Sequence, residues 1–468
     1  MHRSVMGRVG CMRPLVRAIP SARPLARRSA GAVVALLLGN LLSLAAGAQT
    51  LVASYQLARD ADPKYRAALF QAQATGTLQA QARAGFLPTA RFDAEVLETR
   101  QRILSSENPI FGAGSTRFPT QQQTLTITQP LFRKDVIERF AQARLSIQQA
   151  NYSLLAAEQD LILRATAAYL LVLAGNDALA FAIAERDALG RALELAREKL
   201  KMGLGTITVL HDATARAALA KAREIESRNK LADAQQGLRE IIGQAPLPVQ
   251  TLRVDFALAL PDPPQVERWL DAAMSRNLSL LARTAGVDVA RLEIERQKAA
   301  HYPSLNLALT QTRKDSGSTL FGGGSNVDTR EVALRLSIPL FEGGMVLATT
   351  KEAEYKHLKA REEREQERRA LDRQTRAAYE GTVSGVGLVQ ALAQLVTAQQ
   401  AAVEAKEQGY AAGISTLLPV LDAQRDLFAA RRDHAQARYE YLINRLRLEQ
   451  AAGSLSETHV VGVSAALQ

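Results

Sequence analysis

The chain reads as an internally duplicated α plus membrane β protein, with four strands and two pairs of very long helices in 468 residues. Three observations predict this class. Short motifs recur in register: Pro130-Leu131-Phe132 returns as Pro339-Leu340-Phe341, Gly203 with Asp212-Ala213 returns as Gly413 with Asp422-Ala423, and Gly243 returns as Gly453. Within each copy the apolar period switches from 3.6 to 2 and back. Two stretches, 135–202 and 343–412, contain no proline, and a helix of that length would reach about 100 Å at 1.5 Å per residue. Self-similarity at a fixed spacing marks repeated units that need neighbours to complete a core.

The first 48 residues read as a secretory signal. Seven arginines and no acidic residue precede Gln49, followed by the apolar run from Ala32 to Leu44 and the small residues Ala46-Gly47-Ala48. Basic, apolar and Ala-x-Ala regions in that order match an exported leader, and the apolar run is shorter than the roughly 20 residues of a spanning helix. The same arginines explain the net charge of +11: without them 51 basic residues face 47 acidic ones, a balance of +4. No basic face therefore calls for nucleic acid. Cys11, the only cysteine, lies in this leader. The remainder has no disulfide, no thiolate metal site, no cysteine nucleophile and no lipid-bearing N-terminal cysteine. No later segment is expected to cross a membrane as a helix, so any crossing falls to strands.

The first repeat spans 49–243. Residues 51–61 form a short helix closed by Asp62-Pro63, and 64–83 a second one. Strands follow within 89–129. Ala90, Phe92, Ala94 and Val96 alternate with Arg91, Asp93 and Glu95, and on the return strand Leu125 and Ile127 alternate with Thr124, Thr126 and Thr128. Long helices at 135–202 and 206–243 meet at a glycine-marked turn. Residues 244–264, with five prolines, form a linker across the helices containing a short strand near 252–260. The second repeat, 265–453, places a short helix bearing Trp269 at 266–276, strands within 303–338, and helices at 343–412 and 415–453. Leu231, Gln235, Leu238 and Ile242, and likewise Tyr439, Leu442, Ile443 and Leu446, show coiled-coil-like spacing. The polar tail 454–468 is expected to be disordered.

All four strands have one apolar and one polar face, which suits a barrel wall between lipid and water. A soluble hairpin alternates in the same way; the long helices beside the strands favour the barrel. Four strands cannot close, and an open edge in lipid leaves backbone groups unpaired. Several chains must contribute, giving eight, twelve or sixteen strands for two, three or four copies. Gly322-Gly323-Gly324 lacks the lysine of a phosphate loop and reads as an external loop. The histidines have no metal-ligand spacing, the mixed charges of 351–373 read as a solvated helix face, and no catalytic motif is present. The chain reads as a non-enzyme without metal or cofactor.

The doubled helix–strand–strand–helix–helix unit, the Pro-Leu-Phe motif and the Gly…Asp-Ala turn resemble the TolC family of outer-membrane efflux and secretion channels. The resemblance covers nearly all of 51–454. It implies a homotrimer with a twelve-stranded barrel in outer-membrane lipid and a helical tunnel in the periplasm. The implied partners are a periplasmic adaptor protein and an inner-membrane transporter, of ABC or RND type. By the same resemblance the tunnel narrows at the turns, around 410–422 with 202–212 beside it. Tyr410 stands at the family's gate tyrosine and Asp422 at the deeper of two acidic-ring positions. Ser415, Pro419 and Val209 replace the latch arginine, the shallower aspartate and the arginine's acidic partner; Asp212 completes the set. Closure is then expected to rest on packing and on Tyr410. The function implied is type I protein secretion, with cargo such as calcium-binding repeat toxins and haemolysins. Multidrug efflux, or a soluble periplasmic coiled-coil scaffold, are the competing readings.

Overall fold

The computed structural model describes residues 49–105, 114–246, 248–253, 255–318 and 323–468. The expected signal segment with Cys11, and Gly322 of the glycine triplet, lie outside these residues.

Each repeat opens on short helices. In the first, α1 (Leu51–Ala61), α2 (Pro63–Gly76) and α3 (Leu78–Ala84) precede the strands. Thr50 caps α1 by accepting from Ala53 N, and Asp62 caps α2 by accepting from Tyr65 N at 2.6 Å. Pro63 occupies the first helical position, where its missing N–H has no helical partner to lose. The single helix expected over 64–83 is two helices, because the chain breaks at Thr77, whose hydroxyl bonds Ala74 O.

The strands β1 (Thr89–Ile103), β2 (Gly114–Phe132), β3 (Ser304–Ser316) and β4 (Ser325–Ser337) form one antiparallel sheet in sequence order. The β2–β3 pairing joins the repeats, with Thr124 opposite Thr312 and Ile127 opposite Leu309. The first Pro-Leu-Phe motif does not end β2. The strand runs through it to Phe132, and Pro130 is accommodated by a register shift beside it. In the second copy the motif lies beyond β4, with Leu340 92% and Phe341 87% exposed. Among the described residues β1 and β4 each leave one edge without a partner.

The long helices are α4 (Lys134–Lys201) with α5 (Ile207–Ile242), and, in the second repeat, α8 (Met345–Ala411) with α9 (Leu417–Ala451). Between them come α6 (Val266–Arg276), carrying Trp269 as expected, and α7 (Leu278–Lys298). The main core lies at mid-length. Leu161, Ile162, Tyr169, Leu170 and Leu173 of α4 meet Leu238 and Ile242 of α5, and Tyr439, Leu442 and Leu446 of α9. Contrary to the sequence expectation, α4 and α8 each contain an 18-residue window long and apolar enough to cross a membrane. Alanine raises the apolar content of both stretches while leaving room for neighbouring helices to approach closely.

Two buried tyrosines fasten the linker, one from each repeat. Tyr169 Oη donates to Gln49 O at 2.7 Å and accepts from Gln250 N, while Tyr441 Oη donates to Ala259 O at 2.8 Å and accepts from Ala259 N. The strand expected near 252–260 is reduced to one bridge, Leu252 with Leu467.

That bridge also corrects the expectation of a disordered tail. Residues Glu457–Ala465 form α10, capped by Ser456 and His459; its Val460 and Val463, with the flanking Leu455 and Leu467, are buried in the main core. Thr251 and Gln468 exchange two backbone hydrogen bonds, at 2.9 and 2.8 Å. The tail is too short to fold alone, and tertiary contacts with α1, the linker, α4 and α9 order it, including Gln159 Nε2 donating to Leu455 O at 3.0 Å.

Candidate functional site

The two helical turns carry the candidate residues, and both are built alike. Gly203 and Gly413 sit in the left-handed region, at φ 75° and 72°, where a side chain would be strained. In each, the next residue's amide returns to the helix: Leu204 N donates to Lys199 O and Ile414 N to Gly409 O, both at 2.9 Å. Thr206 caps α5 by accepting from Val209 N, whereas Thr416 makes no side-chain cap on α9. Pro419 falls in the first turn of α9, where an amide would lack a helical acceptor in any case.

An apolar cluster lies above the turns. Leu189, Ala196, Ala213, Ala220, Leu417, Val420 and Leu421 form its centre, with Val209 and Tyr410 packed against them. Tyr410 thus contributes packing at this end of the helices. Its ring face also receives Lys199 Nζ, 4.4 Å from the centroid, a cation–π contact between the first and second repeats. Ser415 Oγ donates to the neighbouring carbonyl of Thr416, and its amide donates to Gly409 O.

An ionic tie joins the repeats at the turn end, through a partner the sequence did not reveal. Arg216 Nη1 on α5 lies 2.7 Å from Asp422 Oδ1 on α9, and Arg425 Nη1 approaches the same oxygen at 3.4 Å. Asp422 is therefore not a bare carboxylate. Asp212 lines a groove of about 330 Å³ beside this pair, together with Glu185, Arg216, Arg223 and Arg425.

Deeper in the bundle, Glu185 is 1% exposed and accepts from Arg223 on α5 and Arg432 on α9, at 2.7 and 3.0 Å. Glu224 accepts from Arg186 and Arg228, and these guanidinium groups, Arg186 foremost, hold it below the usual carboxylate range. A buried charge is tolerated only when paired in this way. No sequence spacing marks these acids; their partners on other helices distinguish them.

The structure thus brings Tyr410, Val209, Asp422 and Asp212 to one end of the helical pairs, with Pro419 and Ser415 at the adjoining turn. The paired turns, the inter-repeat sheet and the long helices agree with the comparisons. The family model described as outer membrane efflux protein matches residues 54–244 and again 269–454, one match per repeat. The outer membrane protein TolC of Vibrio cholerae is 31% identical over 437 residues, covering 91% of this chain and 96% of that protein. The proteases secretion protein PrtF of Dickeya chrysanthemi is 28% identical over 441 residues, covering 93% and 95%. The Campylobacter jejuni CmeC outer membrane channel shares the fold, with a TM-score of 0.75 at 12% identity over 89% of this chain and 90% of that one. With both repeats matched and nine-tenths of its length aligned, this chain belongs to the outer membrane efflux protein family of TolC-type outer-membrane channels.

Proposed function

We propose that the protein is the exit duct of a type I protein secretion system, carrying a polypeptide from the cytoplasm to the exterior without catalysing a reaction. The observation that carries this reading is its similarity to a protease secretion protein along nearly the full length of both chains. A second relative, the alkaline protease secretion protein AprF of Pseudomonas aeruginosa, supports it at 29% identity over 426 residues.

The duct is a homotrimer. Four strands with open β1 and β4 edges cannot stand alone in lipid, and three copies give a twelve-stranded wall. The exposed Leu340 and Phe341 beside β4 are then covered by lipid or by the next copy. The helical turns face the periplasm, where an adaptor protein couples them to an ATP-driven inner-membrane transporter. Tyr410, Val209, Ser415, Pro419, Asp212 and Asp422 line the constriction at that end, closed by the Tyr410 cluster and the Arg216–Asp422 tie.

The deciding experiment compares the secreted proteins and drug sensitivity of a strain lacking this chain. Loss of one large secreted protein with unchanged drug sensitivity is expected. Drug hypersensitivity with normal secretion would instead assign the duct to efflux, the role named in the family description.

A further inference from the structure

The geometry points to a belt on the outward face of the strands that binds the phosphorylated headgroups of the outer-leaflet glycolipid, formed by Arg100, Arg117, Arg313 and Arg330. Exposure identifies the face. Along β2, Arg117, Gln121, Gln123 and Leu125 are exposed, while Thr116, Phe118, Gln122 and Thr124 between them are half-buried. The exposed series is the convex side. Register carries it across the sheet: Leu125 lies opposite Phe92 and Gln311, Ile127 opposite Ala90 and Leu309, and Leu309 opposite Val332.

Phe92, Leu125, Ile127, Leu309 and Val332 make an apolar band, and the same face then turns basic toward the hairpin ends. Arg100 follows Val96 on β1, Arg117 lies past Leu125 on β2, Arg313 past Leu309 on β3 and Arg330 past Val332 on β4. The transition falls at different register rows on β1 and β4, as it must where tilted strands cross a membrane plane obliquely.

Among the described residues the belt is neutralised only in part. Arg100 and Arg117 are direct register partners, an arrangement that is repulsive across an antiparallel pair. Glu98 pairs with Arg117, and Asp328 accepts from Gln311 rather than from its register partner Arg313. Arg100, Arg313 and Arg330 have no ion pair among the described residues. Guanidinium groups at the rim of a lipid-facing apolar band meet headgroups, and their planar fork matches phosphate oxygens in pairs. The far ends of the hairpins lie opposite the helices, so these headgroups belong to the outer leaflet. This assignment rests on the strands forming the lipid-facing wall.

The test uses the full-length protein in neutral detergent, with bisphosphorylated lipid A and fully dephosphorylated lipid A as probes, read by native mass spectrometry. The wild type is expected to prefer the bisphosphorylated form by about 100-fold, from roughly fivefold for each unpaired arginine. R100Q/R313Q/R330Q should lose that preference, and R91Q/R335Q, altered on the opposite face, should retain it. Equal binding of the two lipids by the wild type would overturn the belt even if the triple variant failed to assemble. Unchanged preference in an assembled triple variant, or equally tight binding of inorganic pyrophosphate, would overturn it too. A protein that still extracts as an outer-membrane oligomer yet shows no preference refutes the belt and leaves the channel reading standing.

Discussion

Arg216 and Asp422, 2.7 Å apart on α5 and α9, tie the first repeat to the second at the turn end of the helices. Both side chains are partly exposed, at 23% and 36%, so the tie contributes about 1 kcal/mol or less. That is still up to about fivefold in a closed-to-open equilibrium. Arg216→Gln is expected to raise the open fraction in planar bilayers, and the exchange R216D/D422R to restore it. High salt should mimic the single change by screening. Unchanged conductance in Arg216→Gln would exclude the pair from gating.

In the proposed trimer Asp422 would also bear on ion preference. A ring of three carboxylates at a constriction favours cations, but in this chain Arg216 and Arg425 offset the Asp422 charge. Asp422→Ala should therefore weaken cation preference only modestly, whereas R216Q/R425Q should strengthen it by uncovering the carboxylate. Reversal-potential measurements in a salt gradient separate these outcomes. A large loss in Asp422→Ala with no gain in the double variant would contradict the offset.

Acid stability is expected to depend on Arg164. Burial pushes both Asp62 and Asp160 up, but hydrogen bonds, from Arg164 and then the Tyr65 amide at Asp62 and from Lys64 and then Arg164 at Asp160, hold both carboxyls below the ordinary value. For a depressed carboxylate the stabilisation is complete above the unfolded pKa of about 3.9 and disappears as pH falls through the folded value. Arg164→Ala should cost roughly 2–3 kcal/mol at pH 7, since it strands the buried Asp62. Thermal melts should show the gap to wild type narrowing below about pH 4. A gap independent of pH would point to lost packing alone.

Much of this architecture was legible because local patterns suffice for it. Alternation in Ala90, Phe92, Ala94 and Val96 located β1, and proline-free stretches located α4 and α8 to within a few residues. The tail was not legible, because Val460 and Leu467 are too few to show a period and are ordered by contacts with distant residues. The same holds for Arg216 and Asp422, and for Glu185 with Arg432. Such pairs depend on the rotational phase of helices far apart in sequence. The motif glycines were visible as repeats, but what surrounds them was not.

The tail's role can be tested through the linker. Val460 is 1% exposed, and a carboxylate there costs several kcal/mol unless the segment detaches. Val460→Asp should release α10, break the Thr251–Gln468 pairing, and expose 248–262 to protease. Tyr169→Phe and Tyr441→Phe, each losing two hydrogen bonds at constant shape, should loosen the same segment by about 1–2 kcal/mol apiece. Cleavage elsewhere, with the linker still protected, would show that the tail is not its support.

Gly243 and Gly453 end the return helices of the two repeats and share a left-handed conformation, at φ 76° and 74°. Each also abuts the entry helices of its own repeat, but against different obstacles. A Cβ on Gly243 would lie 2.9 Å from Ala61 Cβ, a side-chain methyl, whereas one on Gly453 would lie 2.5 Å from Arg276 O and 2.8 Å from Arg276 C. The second obstacle is backbone held by the Asn277 cap of α7, whose Nδ2 also donates to Ala451 O. Both alanine variants bear the same conformational cost of about 1 kcal/mol. The steric term separates them: Gly243→Ala should total about 2 kcal/mol and Gly453→Ala at least 3 kcal/mol. Melting temperatures of the detergent-extracted protein would rank them. Equal losses would mean that the α6–α7 junction yields as easily as a methyl group, and that the second repeat is not locked at its own entry.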